Sequence, residues 1–414
     1  MHEHEFDQML AKYADVVVRV GLNLGKGQNL SIRADIEDAP FIRKVTESAY
    51  KAGAHYVDIL WADEKCTRIR FDHAGPDTID HIPAWLPTRF EEYYKRGDAT
   101  LAVLSTNPDL LQGIDPDLIA RERKARMQKL AEPFRKYENA SNWCVVATAA
   151  PAWAKKVFPD LSMEAARAKL WEAIFKVSRI DVDDPVTAWQ GHIDNLVKYK
   201  DYLNSRAYAA LHYKGPGTDL TIGLPKNQAW GGAQESFSNG ITCTVNLPTE
   251  EVFTAPHKDK ADGVVTASRP LNLFGALIED FSLTFENGRA VKITARKGEN
   301  DLRQLIETDD NAARLGEVAL VPNSSPISQS GVLFYNTLFD ENAASHIALG
   351  NAYRTSIKGG DDMTDEEFAA EGGNKSLIHT DFMIGSGQLD VDGIRDDGTR
   401  EPVMRQGEWA FQVQ

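Results

Sequence analysis

The chain has 414 residues, enough for two or three domains, and its 42% hydrophobic and 26% charged residues describe a globular protein with ample core. With 61 acidic against 46 basic residues the net charge is −15, which disfavours a phosphate-binding surface and, with it, nucleic acid. No run approaches the ~18 uninterrupted apolar residues of a membrane span.

The first stretch, MHEHEFDQML, lacks the basic-then-apolar order of a secretory signal, and the HxH of His2 and His4 reads as a frayed chain end. NLSIRADI (29–36) is a β-branched strand candidate. In FIRKVTESAYKAGA (41–54), Phe41, Val45 and Ala49 recur every four residues before a stop at Gly53, which predicts a helix. HYVDILWA (55–62), ATLAVLST (99–106) and NWCVVATAA (142–150) read as further strands. WLPTRFEEYYKRG (85–97) and the charged segment 115–140 read as helices between them. Ser162 is a credible N-cap for a helix that repeats Ala166, Leu170, Ile174 and Val177 on one face. Asp184 followed by Pro185 is a strong start signal for the next helix. Alternating strands and helices predict an α/β domain with a mainly parallel open sheet over 1–205.

The pattern changes after residue 205. YAALHYKGPGTDLTIGLP has a G-P-G turn between two alternating runs, and Asn287-Gly288 in FSLTFENGRAVKITARKG is the best hairpin signal in the chain. ITCTVNLP, GVVTASRPLNL and LGEVALVP add strands, so 206–414 is expected to be β-rich and antiparallel, barrel- or sheet-like. AWGGAQESFSNG (229–240) reads as a loop that could line a pocket. Cys66, Cys144 and Cys243 are odd in number and form no C-x-x-C pair. Free thiols, buried for the two in strand-like runs, and a reducing cytoplasm are the expectation.

The distinctive polar residues lie in the second half. In SLIHTDFMIGS (376–386), His379 and Asp381 alternate with Ile378, Thr380, Phe382 and Ile384, so imidazole and carboxylate share one face of a strand. Glu250-Glu251 in NLPTEEVFTAP, Glu317 in GEVALVP, His346 and Tyr353 complete the set. Each alone has an ordinary explanation: Glu-Glu pairs are usually solvated, a histidine in an apolar run is usually a satisfied core residue, and a lone tyrosine usually packs. Glu317 is harder to dismiss, because a carboxylate leading into a buried VALVP run must be paired, protonated or coordinated. Carboxylates mixed with imidazoles, and no thiolates, suit catalytic zinc, cobalt or manganese. The set has more donors than one tetrahedral ion needs; two ions sharing a carboxylate would use them all. H-E-x-x-H, G-x-S-x-G and G-x-x-x-x-G-K-[ST] are all absent from the sequence.

NLPTEEVFTAP, GEVALVP, the 346–353 segment and NKSLIHTDFMIGS, together with AYKAGAHYVDILW and PAWAKKVFPDLS, resemble signature blocks of the metal-dependent aminopeptidases of the aminopeptidase T, aminopeptidase S and PepS group. The resemblance covers essentially the whole length. It implies an α/β N-terminal domain and a β-rich C-terminal domain holding two divalent metal ions, on Glu251, Glu317, His346, Tyr353, His379 and Asp381, with Glu317 as the bridge. It also implies a homodimer enclosing its active sites and acting on short peptides.

The expected chemistry is release of N-terminal amino acids by metal-activated water, with Glu250 as general base and Tyr353 coordinating or donating to the developing oxyanion. Neighbouring Glu250 and Glu251 should face opposite sides of a strand, so only one reaches the metals unless the chain bulges; the resemblance favours Glu251. Two alternatives stay open. One is a two-metal phosphoesterase, for which Arg354, Lys358 and Lys375 would bind phosphate. The other is a non-catalytic metal-binding protein on the same fold.

Overall fold

β-Branched runs alternating with amphipathic helices produce a four-stranded parallel sheet in the first part of the chain. Its order is Val57–Ala62, Leu30–Asp35, Ala99–Leu104, Trp143–Ala147. The structure, a computed structural model, describes residues 2–105, 107–137, 139–273 and 276–413, with 131–137 described for their backbone alone. Leu30, Ile32, Leu101, Cys144 and Val146 are buried in this sheet. The Ala39–Ala52 helix buries Phe41, Ile42, Val45 and Ala49 and ends where Gly53 takes a left-handed φ of 96°. Ser162 caps Met163–Val177 by accepting from the Ala165 amide, and Asp184 accepts from the Thr187 amide at the start of Pro185–Arg206. The charged helix runs Pro116–Tyr137; its expected extension to 140 meets Glu138, which lies outside the described residues.

The chain end does not fray as the sequence suggested. Glu3–Val16 is a helix that buries Leu10, Tyr13, Ala14 and Val16, with Phe6 edge-on to Trp171 at 5.5 Å and the Tyr13 hydroxyl donating to the Ala147 carbonyl at 3.1 Å. Its apolar residues are spaced for one face, but the run of His, Glu and Asp before them masks the period.

The chain forms two units: Met1–Gly191 with Gln234–Pro248, and His192–Ala233 with Thr249–Gln414. The Gln234–Pro248 excursion joins the first unit through the Trp143–Ala147 strand. There the Val145 amide donates to the Val245 carbonyl at 2.7 Å, and the Leu247 amide to the Val145 carbonyl at 3.0 Å.

In the second unit the strands take the sheet form, in two antiparallel sheets of five and nine strands among the described residues. The larger contains both hairpins anticipated from sequence: Ala210–Gly215 with Thr218–Gly223, and Ala276–Glu286 with Arg289–Lys297. Asn287 and Gly288, at φ 49° and 80°, form the turn of the second. The smaller runs Gly231–Gly232, Val252–Thr254, Leu315–Leu320, His346–Gly350, His379–Met383. Every position of Leu315–Leu320 is buried. Among the described residues no helix is long and apolar enough to cross a membrane.

Candidate metal centre

The register of the five-stranded sheet decides which side chains meet. Phe253 lies opposite Ala319, Ala319 opposite His346, and His346 opposite Met383; two residues along, Glu317 lies opposite Ala348 and Ala348 opposite Asp381. Residues directly opposite point the same way, and each strand alternates with period two. Glu317, His346, His379 and Asp381 therefore share one face, with Ala319 and Ala348 as small floor residues between them. Val318, Ile347 and Phe382 turn to the other face and are buried there.

A β-bulge sets Glu317. The register shifts between Leu315 and Glu317, and Gly316 at the bulge sits so close to the facing chain that a Cβ would lie 2.2 Å from the Asn351 carbonyl oxygen. Gly316→Ala is expected to destabilise the fold by about 1–3 kcal/mol and to displace Glu317. Denaturant unfolding and metal stoichiometry on the same sample check it; unchanged values for both would mean that the close approach relaxes freely.

Two triads result. Glu251, Glu317 and His346 each place a ligand-type atom within 4.8 Å of the others, and so do Glu317, His379 and Asp381. Glu317 belongs to both, with Oε1 3.4 Å from His346 Nε2 and Oε2 3.7 Å from His379 Nε2. Both imidazoles are held from behind. His346 Nδ1 lies 3.1 Å from the Ala344 carbonyl and His379 Nδ1 2.7 Å from the Asn351 carbonyl. A carbonyl can only accept, so each Nδ1 carries a proton and each Nε2 faces the carboxylates.

The electrostatics are those of a cation site. Burial opposes the charge on His379, but Asp381 and Glu317 outweigh it and push its pKa up to about 10. Burial likewise opposes the charge on His346, and Glu251 and Glu317 hold its pKa well above the usual imidazole range. Burial raises Glu317, against the pull of His346 and with added repulsion from Asp381 and Glu251. Two buried oxygens fit no hydrogen bond despite short distances: Glu251 Oε2, 3.1 Å from His346 Nε2, and Asp381 Oδ1, 3.4 Å from His379 Nε2. Carboxylates crowded out of water in this way need compensating positive charge. Oxygen and nitrogen donors without thiolate fit a hard or borderline divalent ion.

The remaining expected residues sit nearby in different ways. The Tyr353 ring lies 4.9 Å from the His379 ring, centroid to centroid. Glu250 is buried beside His192, Oε2 to Nε2 3.6 Å, and is a member of neither triad; its amide donates to Asn342 Oδ1 at 2.7 Å. The two neighbouring glutamates thus have different partners. Arg354 and Lys375 both pair with Asp365, which takes up two of the three cations a phosphate would have needed.

Glu341 escaped the sequence reading. The residue is half-buried, and desolvation together with the charges of Glu251 and Asp381 holds its pKa well above the ordinary range. In FDENAAS it looks like a solvated acid of a polar turn. Only the fold of Glu341–Ala343 brings it to the cluster, and its separation by five residues from His346 is the one local signal available.

Comparison with known proteins gives the family. The pattern defining the thermophilic metalloprotease family (M29) matches residues 6–409. The chain belongs to that family. It is similar to aminopeptidase AmpS of Bacillus subtilis, 48% identical over 98% of this chain and 99% of that one. It is likewise similar to aminopeptidase T of Thermus thermophilus, 46% identical over 98% and 99%, and to aminopeptidase PepS of Streptococcus thermophilus, 43% identical over 98% and 99%. The solved structure of wild-type AmpT from Thermus thermophilus superposes with a TM-score of 0.92 at 45% identity, covering 98% of this chain and all of that one. As an M29 member this protein is a metalloaminopeptidase, and the phosphoesterase and non-catalytic readings gain no support.

Proposed function

We propose that the protein removes N-terminal amino acids from short peptides, using two divalent ions, zinc, cobalt or manganese, held by the two triads. One ion would sit among Glu251, Glu317 and His346 and the other among Glu317, His379 and Asp381, with Glu317 contributing one oxygen to each. The observation that carries this reading is the pair of three-residue clusters sharing that one carboxylate. Charge supports cations at this place: without metal His346 and His379 hold protons beside Glu251, Glu317 and Asp381, and ions that displaced those protons would take over the compensation. Bound there, the ions would polarise the scissile carbonyl and lower the pKa of water.

The chain's own groups supply the rest. Tyr353, against His379, is placed in the proposal as a further ligand or as the hydroxyl that donates to the developing oxyanion. Proton transfer to the leaving amine falls to a buried carboxyl, Glu250 as proposed from sequence, with His192 beside it. Glu341 is the rival for that role, because its charge acts on the ligand cluster directly. Glu250→Gln and Glu341→Gln separate them. The base is the residue whose loss lowers kcat by about 10²–10⁴-fold while metal content is kept. A fall in metal content in Glu341→Gln instead makes Glu341 a ligand.

Homodimeric assembly and restriction to short peptides rest on the resemblance. A reducing, cytoplasmic setting is supported by three cysteines that all stay free, Cys144 and Cys243 buried and Cys66 exposed. The direct test is hydrolysis of dipeptides and amino-acid p-nitroanilides before and after chelation, with metal counted per chain. Two equivalents and reversible loss support the proposal; full activity after complete metal removal sinks it.

A further inference from the structure

The face that carries the two triads does not end at the ligands. Phe253 stands on it, two residues beyond Glu251, with the small Ala319 opposite on one side and Gly231 opposite on the other. Its ring lies over Gly231, where a Cβ would come within 2.9 Å of Phe253 Cζ and 3.2 Å of Cε2. The ring can occupy that position only because residue 231 has no side chain. On its far side it meets Tyr353, centroids 6.2 Å apart and planes tilted by 60°. Tyr353 in turn lies 4.9 Å from His379. Gly231, Phe253, Tyr353 and His379 thus form a continuous row from the sheet edge to the ligand cluster. Phe253 is only partly buried, and Tyr353 is 43% exposed.

We infer that Phe253 and Tyr353 form the wall of the pocket for the substrate's N-terminal side chain, and that they select apolar residues such as leucine and phenylalanine over glycine. The inference rests on the aminopeptidase reading of the triads and adds the substrate class to it. In an aminopeptidase the residue whose carbonyl is attacked is also the residue with the free amine, so its side chain must leave the reacting carbon toward the immediate surroundings of the metals. Tyr353 is one ring's width from His379, within reach of a leucine or phenylalanine side chain extending from a carbonyl at the cluster. Ala319 and Ala348 keep the floor low between the strands that carry the wall and the ligands. Two tilted aromatic rings offer an apolar, rigid surface that gains from covering aliphatic or aromatic groups and gives little to a hydrogen atom.

The test compares Leu-, Phe- and Gly-p-nitroanilide on the metal-loaded full chain. Removal of an apolar pocket contact is worth about 10–200-fold in discrimination, so Phe253→Ala is expected to lower the Leu-to-Gly and Phe-to-Gly ratios of kcat/KM by about tenfold or more. Gly231→Ala, which keeps the ring but pushes it from its seat, is expected to move both ratios the same way by a smaller factor. Both ratios unchanged in either folded, active variant overturns the pocket assignment alone. If the unaltered metal-loaded protein hydrolyses none of the three substrates, the aminopeptidase reading fails, and this inference fails with it.

Discussion

Replacing Glu317 with alanine is expected to abolish hydrolysis, by about a thousandfold or more if the metals supply several kcal/mol of transition-state stabilisation, and to remove both ions together. The reason is the placing of its two oxygens. Oε1 lies with His346 and Oε2 with His379, and among the described residues no other single side chain belongs to both triads. Substitution of Asp381 affects a residue of one triad and is expected to cost one ion more than the other. Metal analysis of purified Glu317→Ala and Asp381→Ala, each shown to be folded by circular dichroism, measures the difference. Two ions retained in Glu317→Ala would contradict the shared-carboxylate arrangement outright.

The second large effect is the exchange of protons for metal. In metal-free protein, burial opposes charging of His379, yet Asp381 and Glu317 raise its pKa from 6.5 to about 10. A raised imidazole contributes stability that is fully present below about 6.5, the unfolded value. That contribution is lost as pH rises through about 10. The melting temperature of chelated protein is therefore expected to fall across this window. The loaded protein should change less, since a cation takes the proton's place. Metal affinity should rise with pH by up to about tenfold per unit for each proton displaced, and ions at a hundred times Kd would add about 2.7 kcal/mol. Calorimetric melts at pH 6.5, 8 and 9.5, with and without chelator, test this. Parallel curves would show that the carboxylates do not govern His379.

Local chemistry made much of this protein legible. The cap at Ser162, the Asp184-Pro185 start and the Asn287-Gly288 turn are short-range devices, and each occurs where its residues indicated. The metal-type residues were legible as candidates because hard donors are rare in apolar strands; His379 and Asp381 show this best. Four things were hidden. The N-terminal helix has its apolar stripe behind a polar start. The return of Gln234–Pro248 to the Trp143–Ala147 strand depends on pairing across about a hundred residues, for which no local pattern exists. Glu341 looks like any surface acid until its turn is folded against the cluster. The bulge at Gly316 belongs to the same class, since the close neighbour that excludes a side chain there is the Asn351 carbonyl, just past the His346–Gly350 strand.

The way the donors are mounted has a consequence for how such enzymes diversify. Because Glu317, His346, His379 and Asp381 stand on neighbouring strands of one hydrogen-bonded ladder, their spacing is quantised by the pleat and cannot drift gradually. The outermost rung, with Gly231 and Phe253, is under no such constraint. Exchange of side chains there could redirect an enzyme to new peptides while the reactive centre stayed as it was.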